Sequence, residues 1–209
     1  MVRVDNVPLL LRPLFWLYSW FCALLLLAYT RLVHATCTIT FNQPSPPGNC
    51  IYCIWHESLA PFFCVYNDMS NQVWMNHPAW FMKPIHILLR LSGVKHLCLG
   101  STGNSGKEAM AGVISFLNKG YTTTIASDGP AGPAHQLKPG VLLMSAETGV
   151  PVIALRFVCN HSMRLCGWDK KIVPRLFSTI KVEYSMPIIV QPDRMEVAQK
   201  AIEDWLNFA

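Results

Sequence analysis

The sequence predicts a single α/β domain with a mainly parallel sheet flanked by helices, carried behind an N-terminal membrane helix. Short β-branched runs alternate with stretches of helical period from about residue 50 onward. Polar clusters fall where predicted strands end, the place at which open α/β sheets hold their sites. A separate apolar and aromatic run stands near the N-terminus.

The 209 residues suffice for one ordinary domain and not for two full enzyme domains. With 52% hydrophobic and 14% charged residues, against about a quarter charged in a typical domain, the chain is neither a disordered tail nor a coiled coil. The net charge of +5 favours anionic partners such as phospholipid head groups and is too small to argue for nucleic acid. The eight cysteines are spread along an apolar chain of this length, so they read as reduced, mostly buried thiols. Cys50 and Cys53 with His56 resemble the start of a metal site, but no second Cys or His pair downstream completes a tetrahedron, and no metal is expected.

Residues 14–29 (LFWLYSWFCALLLLAY) hold Ser19 as their only strongly polar member and are bounded by Arg12 and Arg31. Sixteen residues rise about 24 Å as a helix, short of the ~30 Å hydrocarbon core. A tilted span, a helix inserted in one leaflet and a cleaved signal peptide all remain open. The last lacks a cut site flanked by small residues, because His34 stands where one is wanted. Trp16, Tyr18, Trp20 and Tyr29 occupy all faces of the run, as at a membrane interface. The expected division is therefore an anchor over 1–36, a proline-rich turn over 42–49, and a domain over 45–209.

Strands are predicted over 51–55, 94–99, 122–127, 152–157 and 179–185, and helices over 59–66, 79–91, 106–119, 140–148 and 194–208. His56, Glu57 and Ser58 follow the first strand. An imidazole there, with a pKa near neutrality, either takes a proton from an attacking hydroxyl or merely caps the helix. After the second strand, 100–107 (GSTGNSGK) resembles a phosphate loop, but Ser101 stands where its first glycine belongs and Glu108 replaces the magnesium-binding hydroxyl. Ser101, Thr102, Asn104, Ser105 and Lys107 still form a small-residue loop at a helix start, either a phosphate or carboxylate site or a plain turn. After the third strand, Asp128 opens a glycine- and proline-rich loop that begins with Gly129 and fixes the carboxylate in place. Lys138 precedes the next helix and is able to face the same pocket, while Arg156 within the fourth strand is a substrate clamp or a buried ion-pair partner.

In the order WHESLAPFF, LGSTGNSGKEAM, TTTIASDGPAGPAHQLKPGVLLMSAETGVPVIAL and WDKKIVPRLFSTIKVEYSMPI, the chain resembles the lysophospholipid acyltransferase superfamily, in a short branch described as a domain of unknown function. The similarity covers about residues 45–190. It implies a membrane-associated O-acyltransferase of phospholipid biosynthesis on the cytoplasmic side of the inner membrane. The acyl group would pass from acyl-CoA or acyl carrier protein to a lysophospholipid-like hydroxyl, with no bound cofactor. On that resemblance His56 is the general base, Asp128 stands where better-known members carry a glutamate, and the 100–107 loop matches the acceptor block. Glu57, Gly129, Lys138 and Arg156 complete the expected substrate site. The superfamily pattern His-x4-Asp is broken, since Pro61 stands where the aspartate belongs. Asp128, Glu57 or a backbone carbonyl is then left to orient the imidazole, with backbone N–H groups near the glycine-rich loop holding the oxyanion. A non-catalytic lipid-binding or transfer protein on the same fold, and a thioesterase, are the alternatives.

Overall fold

The computed structural model describes residues 3–4, 6–101, 103 and 105–208. In chain order they form α1 (Arg12–Thr36), β1 (Thr38–Phe41), β2 (Ile51–Ile54), α2 (Leu59–Val65), β3 (Gln72–Asn76), α3 (Lys83–Leu91), β4 (His96–Leu99), α4 (Gly106–Leu117), β5 (Thr122–Ala126), α5 (Gly140–Thr148), β6 (Val152–Cys159), β7 (Ser162–Arg164), β8 (Ile172–Pro174), β9 (Thr179–Tyr184) and α6 (Met195–Asn207).

Seven strands make one sheet in the order β1-β9-β6-β2-β5-β3-β4, and β7 with β8 forms a separate hairpin. Every pairing in the large sheet is parallel except β6 with β9. A parallel sheet must be covered on both faces, and the central strand β2 is buried at all four residues. Alternation splits it. Tyr52 and Ile54 join the core formed with Phe62 of α2, Leu88 of α3 and Val33 of α1. Ile51 and Cys53 join the opposite core, with Val113 of α4, Val141 of α5 and Ile202 of α6. The result is three layers, helix on sheet on helix. Cys50 and Cys53, three apart on an extended chain, fall on opposite faces and do not form a pair of ligands.

Four strands lie where none was predicted: β7 and β8 of the hairpin, and β1 and β3 of the large sheet. β3 sits in NDMSNQVWMN, whose Asn, Asp and Ser read locally as loop. Pairing with both β4 and β5 overrides that preference. Its buried Gln72 is satisfied, because Oε1 accepts from Trp74 Nε1 at 2.9 Å and Thr124 Oγ1 at 3.0 Å. β1 precedes the proline-rich turn and pairs in parallel with β9, so the sheet begins before residue 45 and the turn does not part anchor from domain. The 79–91 helix also resolves into a 3-10 turn, Trp80–Met82, followed by α3, whose first turn accommodates Pro84.

The N-terminal helix is longer than its apolar run. The helical stretch Leu9–Thr36 holds 28 residues, about 42 Å, and is long and apolar enough to cross a membrane. Most of its surface is exposed, but Ser19, Ala23, Thr30 and Val33 are buried along one stripe. That stripe packs on α3 and α2. Phe15 meets Trp80 edge-on at 6.0 Å near one end, and His34 Nδ1 lies 2.9 Å from the Cys64 carbonyl near the other.

Candidate active site

The site grows from strand register. β2 and β5 are parallel neighbours with Ile54 opposite Ala126, so the residues two further on, His56 and Asp128, leave the sheet side by side. Asp128, 1% exposed, accepts the His56 backbone N–H at Oδ1 (2.7 Å) and the His135 backbone N–H at Oδ2 (3.1 Å). It fixes the main chain under the imidazole. It does not hydrogen-bond the ring, which corrects the expectation that Asp128 orients it directly.

The carboxylate on the ring is Asp169, in the turn between β7 and β8. Its Oδ2 stands 2.6 Å from His56 Nδ1, and the same oxygen pairs with Lys171 Nζ. An ionised carboxylate only accepts, so Nδ1 carries the proton and Nε2 keeps its lone pair. No described residue hydrogen-bonds Nε2. Burial pushes the His56 pKa down; the hydrogen bond from Nδ1 to Asp169 opposes this, Lys171 adds to it, and the net shift is below the ordinary value. Burial acts to raise the Asp169 pKa, but hydrogen bonds from Lys171 and His56 outweigh it and hold the carboxyl below its usual range. The pair is therefore neutral imidazole and carboxylate near pH 7.

Two residues crowd the ring. Trp168 lies with its centroid 5.2 Å away, tilted by 41°. Gly129 approaches so closely that a Cβ there would fall 2.5 Å from His56 Cδ2. The His56 side chain remains 20% exposed, enough for Nε2 to meet a substrate.

The other expected residues divide. Glu57 sits beside His56 but is engaged by Arg164 Nη1 at 2.7 Å and by His135 Nε2 at 3.7 Å. Lys138 is half-buried, and its backbone N–H donates to the Ser127 carbonyl at 2.8 Å. Ser101, Ser105 and Lys107 lie beyond β4, three strands from β2, or about 14 Å across the sheet. They make no hydrogen bond or ion pair with the His56 group. Ser101 is 7% exposed and its hydroxyl has no partner among the described residues. Thr102 and Asn104 lie outside the described residues. Arg156 is taken up structurally: its Nε donates to Glu183 Oε2 at 2.8 Å, and the guanidinium lies 5.5 Å from the Trp205 ring. Of the two readings of Arg156, the geometry gives the ion pair.

Asp169 and Trp168 are the residues that sequence reasoning missed. Their segment WDKK carries no periodic or spacing signal, and 113 residues separate Asp169 from His56. The one available hint was an acid between a tryptophan and two lysines.

No family model matches the chain. In sequence it is similar to "Uncharacterized protein RP090" of Rickettsia prowazekii (strain Madrid E), 25% identical over 146 residues, which cover 70% of this chain. The match spans 66% of that protein, just under two thirds of its length. In structure it is similar to the 1-acyl-sn-glycerophosphate (LPA) acyltransferase PlsC of Thermotoga maritima, with a TM-score of 0.51 and 14% identity over 90% of this chain and 81% of that one. The chain thus has an acyltransferase-like fold.

Proposed function

We propose that the protein is a membrane-associated O-acyltransferase that moves a fatty acyl group from acyl-CoA or acyl carrier protein to a hydroxyl of a lysophospholipid-like acceptor. The observation that carries this reading is the His56–Asp169 pair, which leaves an unprotonated Nε2 at the C-terminal edge of the sheet. Nε2 takes the proton of the acceptor hydroxyl as its oxygen attacks the thioester carbonyl. The C–S bond then breaks, and the proton on Nε2 goes to the departing thiolate. Asp169 stabilises the imidazolium that exists between these two transfers. The 100–107 loop, about 14 Å to the side, suits a distal part of the acceptor better than the reacting carbonyl.

The attachment to lipid follows from α1. A helix packed lengthwise on α2 and α3 cannot be ringed by lipid while its domain stays in water. This supports a helix laid into one leaflet with its exposed stripe, including Leu14, Leu17, Phe21 and Leu25, in the acyl region. Both donors are cytoplasmic, so the site would face that side of the inner membrane.

Mass spectrometry of lipids tests the activity. The chain in phosphatidylglycerol-containing vesicles, given lysophosphatidic acid and palmitoyl-CoA or palmitoyl-acyl carrier protein, is expected to form the diacyl product, and His56→Ala to abolish it. Free palmitate in place of that product would make the protein a thioesterase. Lipid binding without turnover by either donor would make it a binding protein.

A further inference from the structure

The β7–β8 hairpin with its flanking turns, residues 161–178, has features that the chemistry at His56 does not use. It carries four Lys or Arg residues and one carboxylate, and that carboxylate, Asp169, is buried and paired. Lys170 and Arg175 are exposed and have no ion-pair partner among the described residues. Beside them Leu165, Leu176 and Phe177 expose 49%, 40% and 79% of their surface. Lys170 and Phe177 both adopt left-handed backbone conformations, with φ of 43° and 59°, which non-glycine residues seldom take. An outward mixture of free cations and large apolar side chains is poorly suited to water and well suited to an anionic bilayer interface.

The hairpin also adjoins the surface already assigned to lipid. Tyr29 Oη of α1 donates to the Pro174 carbonyl at 2.7 Å, and Cys37 Sγ, just past α1, donates to the Arg175 carbonyl at 3.3 Å. The Thr38 backbone N–H reaches the Ser178 carbonyl at 2.9 Å. The exposed turn 175–177 is thereby fastened to the C-terminal third of α1.

We propose that the β7–β8 hairpin is a second bilayer contact, in which Lys170 and Arg175 bind anionic phospholipid head groups and Leu176 and Phe177 enter the interface. This rests on the reading of α1 as a membrane helix. Since Asp169 lies within the same hairpin, the contact sets the catalytic pair at the lipid surface. Acidic acyl carrier protein would also match the two cations, but it offers no partner for the apolar side chains or for their continuity with α1.

Hydrogen exchange of the whole chain tests this in vesicles of phosphatidylcholine alone and of phosphatidylcholine with phosphatidylglycerol. Amides over 163–178 are expected to exchange several-fold more slowly with phosphatidylglycerol present. The double variant Arg175→Glu, Phe177→Ser should lose that slowing while α1 stays protected. Equal exchange of the hairpin in both vesicles beside a protected α1 overturns the hairpin contact and leaves the membrane reading standing. An unprotected α1 overturns both. Slowing that requires added acyl carrier protein, and not anionic lipid, gives the surface to that protein and overturns the proposal.

Discussion

His56 Nδ1 and Asp169 Oδ2 lie 2.6 Å apart, and the same oxygen also meets Lys171. In this sheet the carboxylate that holds the imidazole comes from a turn outside the sheet, and not from the helix that follows the histidine. A base held from outside in this way depends on the position of a hairpin. That dependence gives Asp169 testable signatures of its own.

Asp169→Asn should leave the fold intact and lower kcat on the order of 10²- to 10⁴-fold, since the ring loses both its fixed tautomer and the anion that stabilises imidazolium. KM for the acceptor should change little. The hydrogen bond to Asp169 raises the His56 pKa, so the acid limb of the pH–rate profile should move to lower pH in this variant. A purely structural carboxylate would lower the rate without moving the limb.

Lys171→Gln should move that limb the other way, because the Lys171 charge lowers the His56 pKa. In the parent protein kcat/KM should fall about tenfold per pH unit below a limb lying under the ordinary histidine value of about 6.5. Stability follows the same sign. With the folded pKa depressed, the His56 contribution is fully present above about pH 6.5 and is lost as pH falls through the folded value. Thermal melts across that window read the second effect, and initial rates read the first.

Gly129→Ala probes the ring's position. Gly129 does not need a left-handed backbone, so the new methyl costs little there, but it would stand 2.5 Å from His56 Cδ2 and 3.3 Å from Nε2. The imidazole must shift, and a misplacement on the order of 1 Å costs about 10²-fold in rate. A loss of that size in kcat with a nearly unchanged Tm is expected. Unchanged activity would mean that the ring has room the structure does not give it.

The β-α alternation and the strand ends at His56 and Asp128 could be read from the sequence because both are local. Periodicity marks a strand, and a polar residue after an apolar run marks its tip. Register then brings those tips together, which a parallel sheet makes expectable. Asp169 could not be read, since the partner of an imidazole across 113 residues depends on where a hairpin folds back. β1 and β3 were hidden for a related reason: each is only four or five residues long beside sequence rich in Asn, Ser or Pro, and each is held as a strand by neighbours that β9, β4 and β5 supply. Arg156 was ambiguous because a strand arginine has no local feature that separates a clamp from an ion pair until Glu183 appears across β9.

Asp128→Asn separates a framework carboxylate from a reacting one. Both Asp128 oxygens accept backbone N–H groups, from His56 and His135, in a site only 1% exposed. Asparagine matches the volume but replaces one acceptor with an NH2 group that must face a donor. The mismatch leaves buried polar groups unpaired, at about 1–3 kcal/mol. For a chain of this size each kcal/mol corresponds to roughly 2–4 °C in Tm. A lowered melting temperature should therefore accompany the rate loss in Asp128→Asn, whereas Asp169→Asn should lose rate with its acid limb displaced. Calorimetry beside pH–rate profiles separates the two. An Asp128→Asn protein with parental Tm and a displaced limb would instead mean that Asp128 acts on the ring itself.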